Sequence, residues 1–182
     1  MSDIIVIGVD PGKTGAVAVL DARSMELLNV HDMPVLDNHV SADLLADIFS
    51  MIVQEHLLDH LFVVIERVGS MPKQGVASSF NFGESYGIVQ GVVAAEGMPR
   101  EFVTPGKWKA AMGLRGSDKG KSRRKAIDRW PSWSDAFKRV KDDGRAEAAL
   151  LSAYYVEANR PDPPPSADEI DPLGHIDPYG DT

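Results

Sequence analysis

Four acidic side chains, Asp10, Glu66, Asp143 and Glu147, have types and placements that could gather metal ions. Asp10 closes the apolar run from Asp3 to Val9, and Glu66 closes the run from Leu61 to Ile65. If the two runs are neighbouring parallel strands, both carboxylates emerge at one edge of the sheet, where open α/β sheets place their ligand sites. Two carboxylates held close together cannot both stay ionised cheaply unless a cation joins them. Asp143 and Glu147, spaced i and i+4, share one face of a helix, and Asp142 lies off that face. Hard oxygen donors, with no cysteine in the chain and no histidine near them in sequence, suit Mg2+ or Mn2+ better than zinc.

Each acid also has a plainer explanation. An Asp before Pro11-Gly12 is a common turn former, and Glu66 could be the first solvated residue after a buried strand. Asp142, Asp143 and Glu147 could be acids favoured at a helix start. What favours chemistry is that all three explanations would have to hold at once, in a chain whose basic residues cluster between these acids. The net charge of −8 hides that cluster. Residues 100–145 hold 14 of the 19 Lys and Arg, and residues 161–182 hold six acids and no Lys or Arg. Phosphate binding follows the local field rather than the sum. Lys107, Lys119, Lys121, Arg123 and Arg124 are therefore expected to grip phosphates, with Lys13 and Lys73 as further contacts.

The elements that must position these residues follow from periodicity and turn signals. Strands are expected over residues 3–9, 15–20, 26–33, 61–65 and 101–103, the first two joined as a hairpin through Pro11-Gly12. Ser41 caps a helix expected to run to about Asp59, with Leu44, Leu45, Ile48, Ile52 and Val53 at helical spacing. A helix that crosses over from the hairpin makes the 61–65 strand parallel to one of its strands. Residues 76–97 read as a Gly-punctuated helix. Two or three short helices follow over 107–141, with Trp108 expected in the core. A last helix spans Asp143–Asn159, with an apolar stripe of Ala146, Leu150, Leu151, Tyr154 and Tyr155. The pattern is an α/β layer fold with a mixed sheet. Residues 1–160 are expected to form one domain, and 161–182 a disordered, acidic, Pro-rich tail. The start reads as a strand, and no apolar stretch approaches the roughly 20 residues that span a bilayer, so a cytoplasmic protein with no membrane partner is expected.

Two rival motifs fail. Gly116-Ser-Asp-Lys-Gly-Lys-Ser122 resembles a phosphate loop, but the motif requires glycine where Arg115 stands. His56 and His60 are spaced i and i+4 with no third ligand beside them.

The segment Ile7-Gly-Val-Asp-Pro-Gly-Lys-Thr-Gly-Ala16 resembles the first strand and turn of the RuvC-type Holliday junction resolvases. Val63-Val-Ile-Glu66 resembles their second acidic strand, and Asp143-Gly-Arg-Ala-Glu-Ala-Ala-Leu-Leu151 their final helix, above all in the phage-encoded branch. Met71-Pro72, Ser79-Phe-Asn-Phe-Gly83, Gly87 and Thr104-Pro-Gly-Lys-Trp108 are similar to the same branch. The likeness spans roughly residues 3–158. It implies an RNase H-like fold, a five-stranded mixed sheet flanked by helices, and two-metal hydrolysis of four-way junctions and related branched DNA by a crossover junction endodeoxyribonuclease. The family's metal-binding carboxylates fall on Asp10, Glu66, Asp143 and Glu147. Asp10 would bridge the ions, with Glu66 and Glu147 flanking them and Asp143 opposite.

Two departures stand out. The last pair is spaced four apart and ends in Glu, which keeps Asp142 as a rival third ligand. The aromatic that the bacterial enzymes carry shortly after the second acid is absent, and Phe80 or Phe82 could replace it. The resemblance also implies a homodimer, for which the 76–97 helix offers a surface, and host cytoplasm as the location of a phage-encoded enzyme. Actin-like ATPases begin with a similar D-x-G-x-T, but a second Asp-Gly phosphate motif is missing. A catalytically silent DNA-binding module is the other alternative.

Overall fold

The computed structural model describes residues 4–67, 69, 75–116 and 120–159. The apolar runs form β1 (Ile5–Asp10), β2 (Ala16–Asp21) and β3 (Leu27–Asp32), then a small hairpin of β4 (Val35–Leu36) and β5 (His39–Val40). Helix α1 (Ala42–Glu55), β6 (Leu61–Glu66), α2 (Val76–Ala95) and β7 (Arg100–Val103) come next. The chain finishes with α3 (Pro105–Ala111), α4 (Lys121–Arg129), α5 (Ser134–Phe137) and α6 (Asp143–Asn159). The main sheet has the order β3-β2-β1-β6-β7. Short turns make β1–β2 and β2–β3 antiparallel, and helical crossovers make β1–β6 and β6–β7 parallel. It is the five-stranded mixed sheet flanked by helices that the sequence predicts.

The pleat sorts side chains onto two faces. Ile5, Ile7 and Val9, with Leu61, Val63 and Ile65, pack under α1 and α2 against Leu45, Phe49, Ile52, Val89 and Val93. Val6, Ala18 and Val64 face the other layer, where Trp108, Ala126, Phe137 and Leu150 lie on α3 to α6. The site acids Asp10 and Glu66 have the parity of this second face.

Three sequence expectations change. Helix α1 keeps its Ser41 cap, whose Oγ accepts from the Leu44 N–H at 3.3 Å, but it ends at Glu55 rather than near Asp59. His56 is extended and Leu58–His60 form a single 3-10 turn, which lets Leu61 fall into register opposite Ile5. The β4–β5 hairpin was not anticipated. Its two-residue turn places Asp37 and Asn38 at φ 49° and 64°, a left-handed conformation that Asx side chains tolerate. Finally, α6 is buried nearly all round rather than along one stripe. Ala148, Ala149, Ala153 and Val156 are buried too, while Tyr155 is half-buried and stacks on Phe62 at 4.6 Å.

Two glycines set how closely α6 lies on the sheet. A Cβ at Gly8 of β1 would fall on the carbonyl oxygen of Ala148, and one at Gly144 on the carbonyl oxygen of Thr14. Both obstacles are backbone, so neither can swing aside. Gly8→Ala is expected to lower Tm by at least about 5 °C, measured by circular dichroism. Gly91→Ala, where a Cβ meets nothing within 4 Å, is expected to leave Tm unchanged or slightly raised.

Candidate active site

Strands β1 and β6 run in parallel with Val9 opposite Ile65. One residue further, Asp10 and Glu66 stand side by side at the end of the sheet, beneath the layer that contains α6. Glu66 is 7% exposed, and its Oε1 accepts a 2.8 Å hydrogen bond from the indole Nε1 of buried Trp108. Asp10 Oδ1 accepts from the Gly12 N–H at 3.2 Å. Burial pushes the Asp10 carboxyl up to about 6, with the Glu147 charge adding to the rise and the Gly12 N–H and Lys109 opposing it. Burial also pushes Glu66 up to about 7, and the Asp10 charge adds to it, against the Trp108 hydrogen bond and Lys109.

Helix α6 delivers Glu147 to the same place. Both of its oxygens accept from Lys109 Nζ at 2.8 Å, and Ser122 Oγ donates to Oε1 at 3.2 Å. Lys109 also sits 5.1 Å from the Trp108 ring centroid. Lys109 therefore stands between α6 and the strand pair, and the charges that act on Asp10 and Glu66 include those of Glu147 and Lys109. The sequence reading counted Lys109 only as part of the basic cluster. The available signal was its position beside Trp108: a buried Trp fixes the direction in which its neighbour projects.

Asp143 is placed differently. At the first position of α6 it is ion-paired, Oδ1 to Arg123 Nε at 2.7 Å, and its side chain is 45% exposed. Asp142 is buried, and Arg139 holds both its oxygens through Nε, Nη2 and the backbone N–H at 2.8–3.1 Å. Burial opposes ionisation there, yet Arg139 keeps the Asp142 carboxyl below its ordinary range. Asp142 is thus committed to the turn before α6, which leaves Asp143 the more accessible carboxylate of the two.

Among the described residues, no three His, Asp or Glu side chains form a ready-made ion-binding group. Lys109 and Arg123 hold Glu147 and Asp143 by their carboxylate oxygens. The donor chemistry nevertheless fits a hard divalent cation. The acids are all oxygen donors, and three of them act on one another through their charges. Two have carboxyls raised toward neutrality, chiefly by burial, with the neighbouring negative charges adding to the rise.

The described members of the expected DNA-contact set differ in burial and in what they bond. Lys13 Nζ donates to the backbone oxygen and Oδ1 of Asn38, both at 3.0 Å. Phe80 is 71% exposed near the start of α2, and the half-buried Phe82 ring stands next to Gly12. Lys107 and Arg124 are exposed on α3 and α4, and Lys121 is half-buried at the start of α4. Arg123 turns inward to Asp143 and to the Lys138 carbonyl oxygen at 3.1 Å. Trp108 lies in the core, as expected. Lys73 and Lys119 lie outside the described residues, as does the tail beyond Asn159.

A five-stranded mixed sheet with an acid at the end of its central strand, and a last helix bringing another acid to it, defines the RNase H-like fold. The fold is shared with T. thermophilus RuvC in complex with Holliday junction substrate, at a TM-score of 0.62 and 15% identity, covering 86% of this chain and 97% of that one. A second Thermus thermophilus RuvC structure matches at a TM-score of 0.57 and 18% identity, covering 85% of this chain and 96% of that one. No family model and no curated protein matches the sequence. The chain therefore has the RuvC-type resolvase fold.

The raised carboxyls make stability depend on pH with a definite sign. The fold binds more protons than the unfolded chain between the ordinary carboxyl range and about pH 6–7, so ionising Asp10 and Glu66 destabilises the metal-free protein as pH rises through that window. At pH 8 without metal, Asp10→Asn is expected to raise Tm by about 2–6 °C, an advantage that shrinks as pH falls toward 4. Adding Mg2+ is expected to raise the Tm of the parent chain and not that of Asp10→Asn. Differential scanning calorimetry across this pH range reads both effects.

Proposed function

We propose that this chain is a Mg2+-dependent, structure-selective endonuclease that hydrolyses phosphodiester bonds in four-way junctions and related branched DNA, a crossover junction endodeoxyribonuclease of the phage-encoded branch. The observation that carries the reading is the pair Asp10–Glu66. Both carboxyls are raised, Glu147 acts on both, and they stand at the sheet edge of a fold shared with a protein solved on a Holliday junction. Asp10, Glu66 and Glu147 would hold the metal, with Asp143 as the outer ligand and Mn2+ able to replace Mg2+. Ions so held supply an activated water and a stabilised leaving oxygen.

The chain's own residues orient and hold. Trp108 fixes Glu66 and covers it from solvent. Lys109 carries positive charge to the place where a phosphodiester meets the acids. Lys107, Lys119, Lys121, Arg123 and Arg124, with Lys13 and Lys73, grip the backbone, which positions the substrate without reading its sequence. Phe80, fully available to solvent on one side, is the aromatic for a base at the branch, and Phe82 supports it near the Asp10 turn. Two symmetric cuts call for a C2 homodimer, with α2 as its surface. The catalytic domain is proposed to lie within residues 1–160; residues 160–182 lie outside the described residues. Among the described residues no helix is long and apolar enough to cross a membrane, and we place the enzyme in the cytoplasm.

A catalytically silent DNA-binding module is the second reading, favoured by one observation: Lys109 and Arg123 already neutralise Glu147 and Asp143. The ATPase alternative requires a second lobe and a second phosphate motif, and the described fold is one main sheet with its helices.

Synthetic four-way junction, duplex and flap DNA, incubated with and without Mg2+, separate these readings. The junction is expected to be nicked only with Mg2+. Asp10→Asn should lose more than about 100-fold, beyond what a supporting residue typically costs. No metal-dependent cleavage of any substrate would sink the nuclease, and full cleavage by Asp10→Asn would sink the site. Trp108→Phe removes the donor that favours ionised Glu66, so its Mg2+ requirement below about pH 7 is expected to rise. A Mg2+ titration at pH 6.5 and 8 checks this.

A further inference from the structure

Beside the acids lies a groove of about 330 Å3 whose walls include Lys13, Thr14, Asp32, Lys141 and Asp142. Strands β3 and β6 lie on opposite sides of β1, so this groove at the end of β3 and the Glu66 carboxylate flank Asp10 from opposite sides. The face is the same one: Arg145 of α6 reaches across to hold Asp32 through Nε and Nη2.

The charges in the groove do not cancel. Asp32 is matched by Arg145 and Asp142 by Arg139, both arginines being charged at any ordinary pH. Lys13 spends its hydrogen bonds on two neutral oxygens of Asn38, and Lys141 is exposed with its charge acting on the already paired Asp32. Two positive charges are left over. Asp142 directly precedes α6, so the positive end of a 17-residue helix adds to the same field.

The spacing selects the ligand. From β1 to β3 is two strand spacings, about 10 Å. Phosphates of one DNA strand recur roughly every 3.4 Å of axial rise but, because the backbone winds around the axis, lie roughly twice that far apart in space, so about 10 Å corresponds to one or two nucleotides. We infer that Lys13 and Lys141 form a second phosphate subsite, holding the same DNA strand one or two nucleotides from the phosphate that meets Asp10. The inference rests on the nuclease reading of the Asp10 site. The Lys13–Asn38 contact gives the β4–β5 hairpin a role as well, because it keeps Lys13 turned to this side of the turn.

The test is binding of a labelled four-way junction in EDTA, followed by fluorescence anisotropy from about 50 to 200 mM salt. It compares the parent chain with Lys13→Gln, Lys141→Gln and the double variant, each checked for an unchanged melting curve. Each single variant should lower the slope of log affinity against log salt by about 0.9 and weaken binding several-fold, and the double by about twice that slope. Lys138→Ala, which removes a charge already paired with Asp135, serves as the control and should leave the slope in place. A junction carrying uncharged methylphosphonate linkages one and two nucleotides from the cut should bind the parent chain more weakly and the double variant no more weakly. A double variant with the parent slope, or one that still senses the methylphosphonates as the parent does, overturns the subsite and leaves the nuclease standing. A parent chain that binds no junction at all overturns both.

Discussion

Helix α6 touches the central strand at backbone distance, and the candidate site depends on that contact. Gly8 and Gly144 supply the space, one beneath the carbonyl of Ala148 and the other beneath that of Thr14. An ordinary interlayer distance, set by side chains, would carry Glu147 away from Asp10 by the thickness of those side chains. The small residues of α6 serve the same end. Ala146, Ala148, Ala149 and Ala153 let the helix be covered by α4 and α5 while it lies on β1 and β2, so its position is over-determined from both sides. A helix buried nearly all round has little freedom to rotate, and rotation would move its acids first.

The close contact brings like charges together. Asp10, Glu66 and Glu147 act on one another where burial already penalises ionisation, and one lysine, Lys109, stands among them. Two carboxyls pushed well above the ordinary range by burial are a cost to the metal-free fold, and such costs concentrate at functional sites. Trp108 and the Gly12 N–H reduce the penalty without removing it. They also fix the carboxylates in place, so the arrangement is ready for a cation. Lys109 and Arg123 show how the surrounding layer answers the excess of negative charge, by lending helix-borne cations to the two acids of α6.

The wider surface follows the same division of labour. The chain is acidic in total, yet the cationic side chains concentrate in the helical layer over α3 to α6, the layer from which Asp10 and Glu66 are reached. Several of them are already committed: Arg139 to Asp142, Arg145 to Asp32, Arg129 to Glu157. These pairs brace the turn before α6 and its flanks rather than reach for a ligand, so the count of basic residues overstates the gripping surface.

The strands ending in Asp10 and Glu66, their parallel pairing, the final helix from Asp143 to Asn159 and the sharing of one sheet edge by the two acids were all legible in the sequence. Those features rest on local signals: apolar runs, turn residues, helical spacing and the length of a crossover. The end of α1 and the Asp37-Asn38 hairpin were legible only in part, because register and turn geometry overrode propensity there. What the sequence could not contain was the pairing of side chains far apart in the chain. Lys109 and Glu147 are 38 residues apart, and Trp108 and Glu66 are 42 apart. Nor could spacing decide between Asp142 and Asp143. Asp142 ends the 3-10 turn Val140–Asp142 and is held there by Arg139, whereas Asp143 opens α6, pairs with Arg123 and stays partly exposed. The sequence by itself determined which acids meet the sheet edge; the tertiary structure decided their counter-charges and their burial, because both depend on how close two layers of backbone are allowed to come.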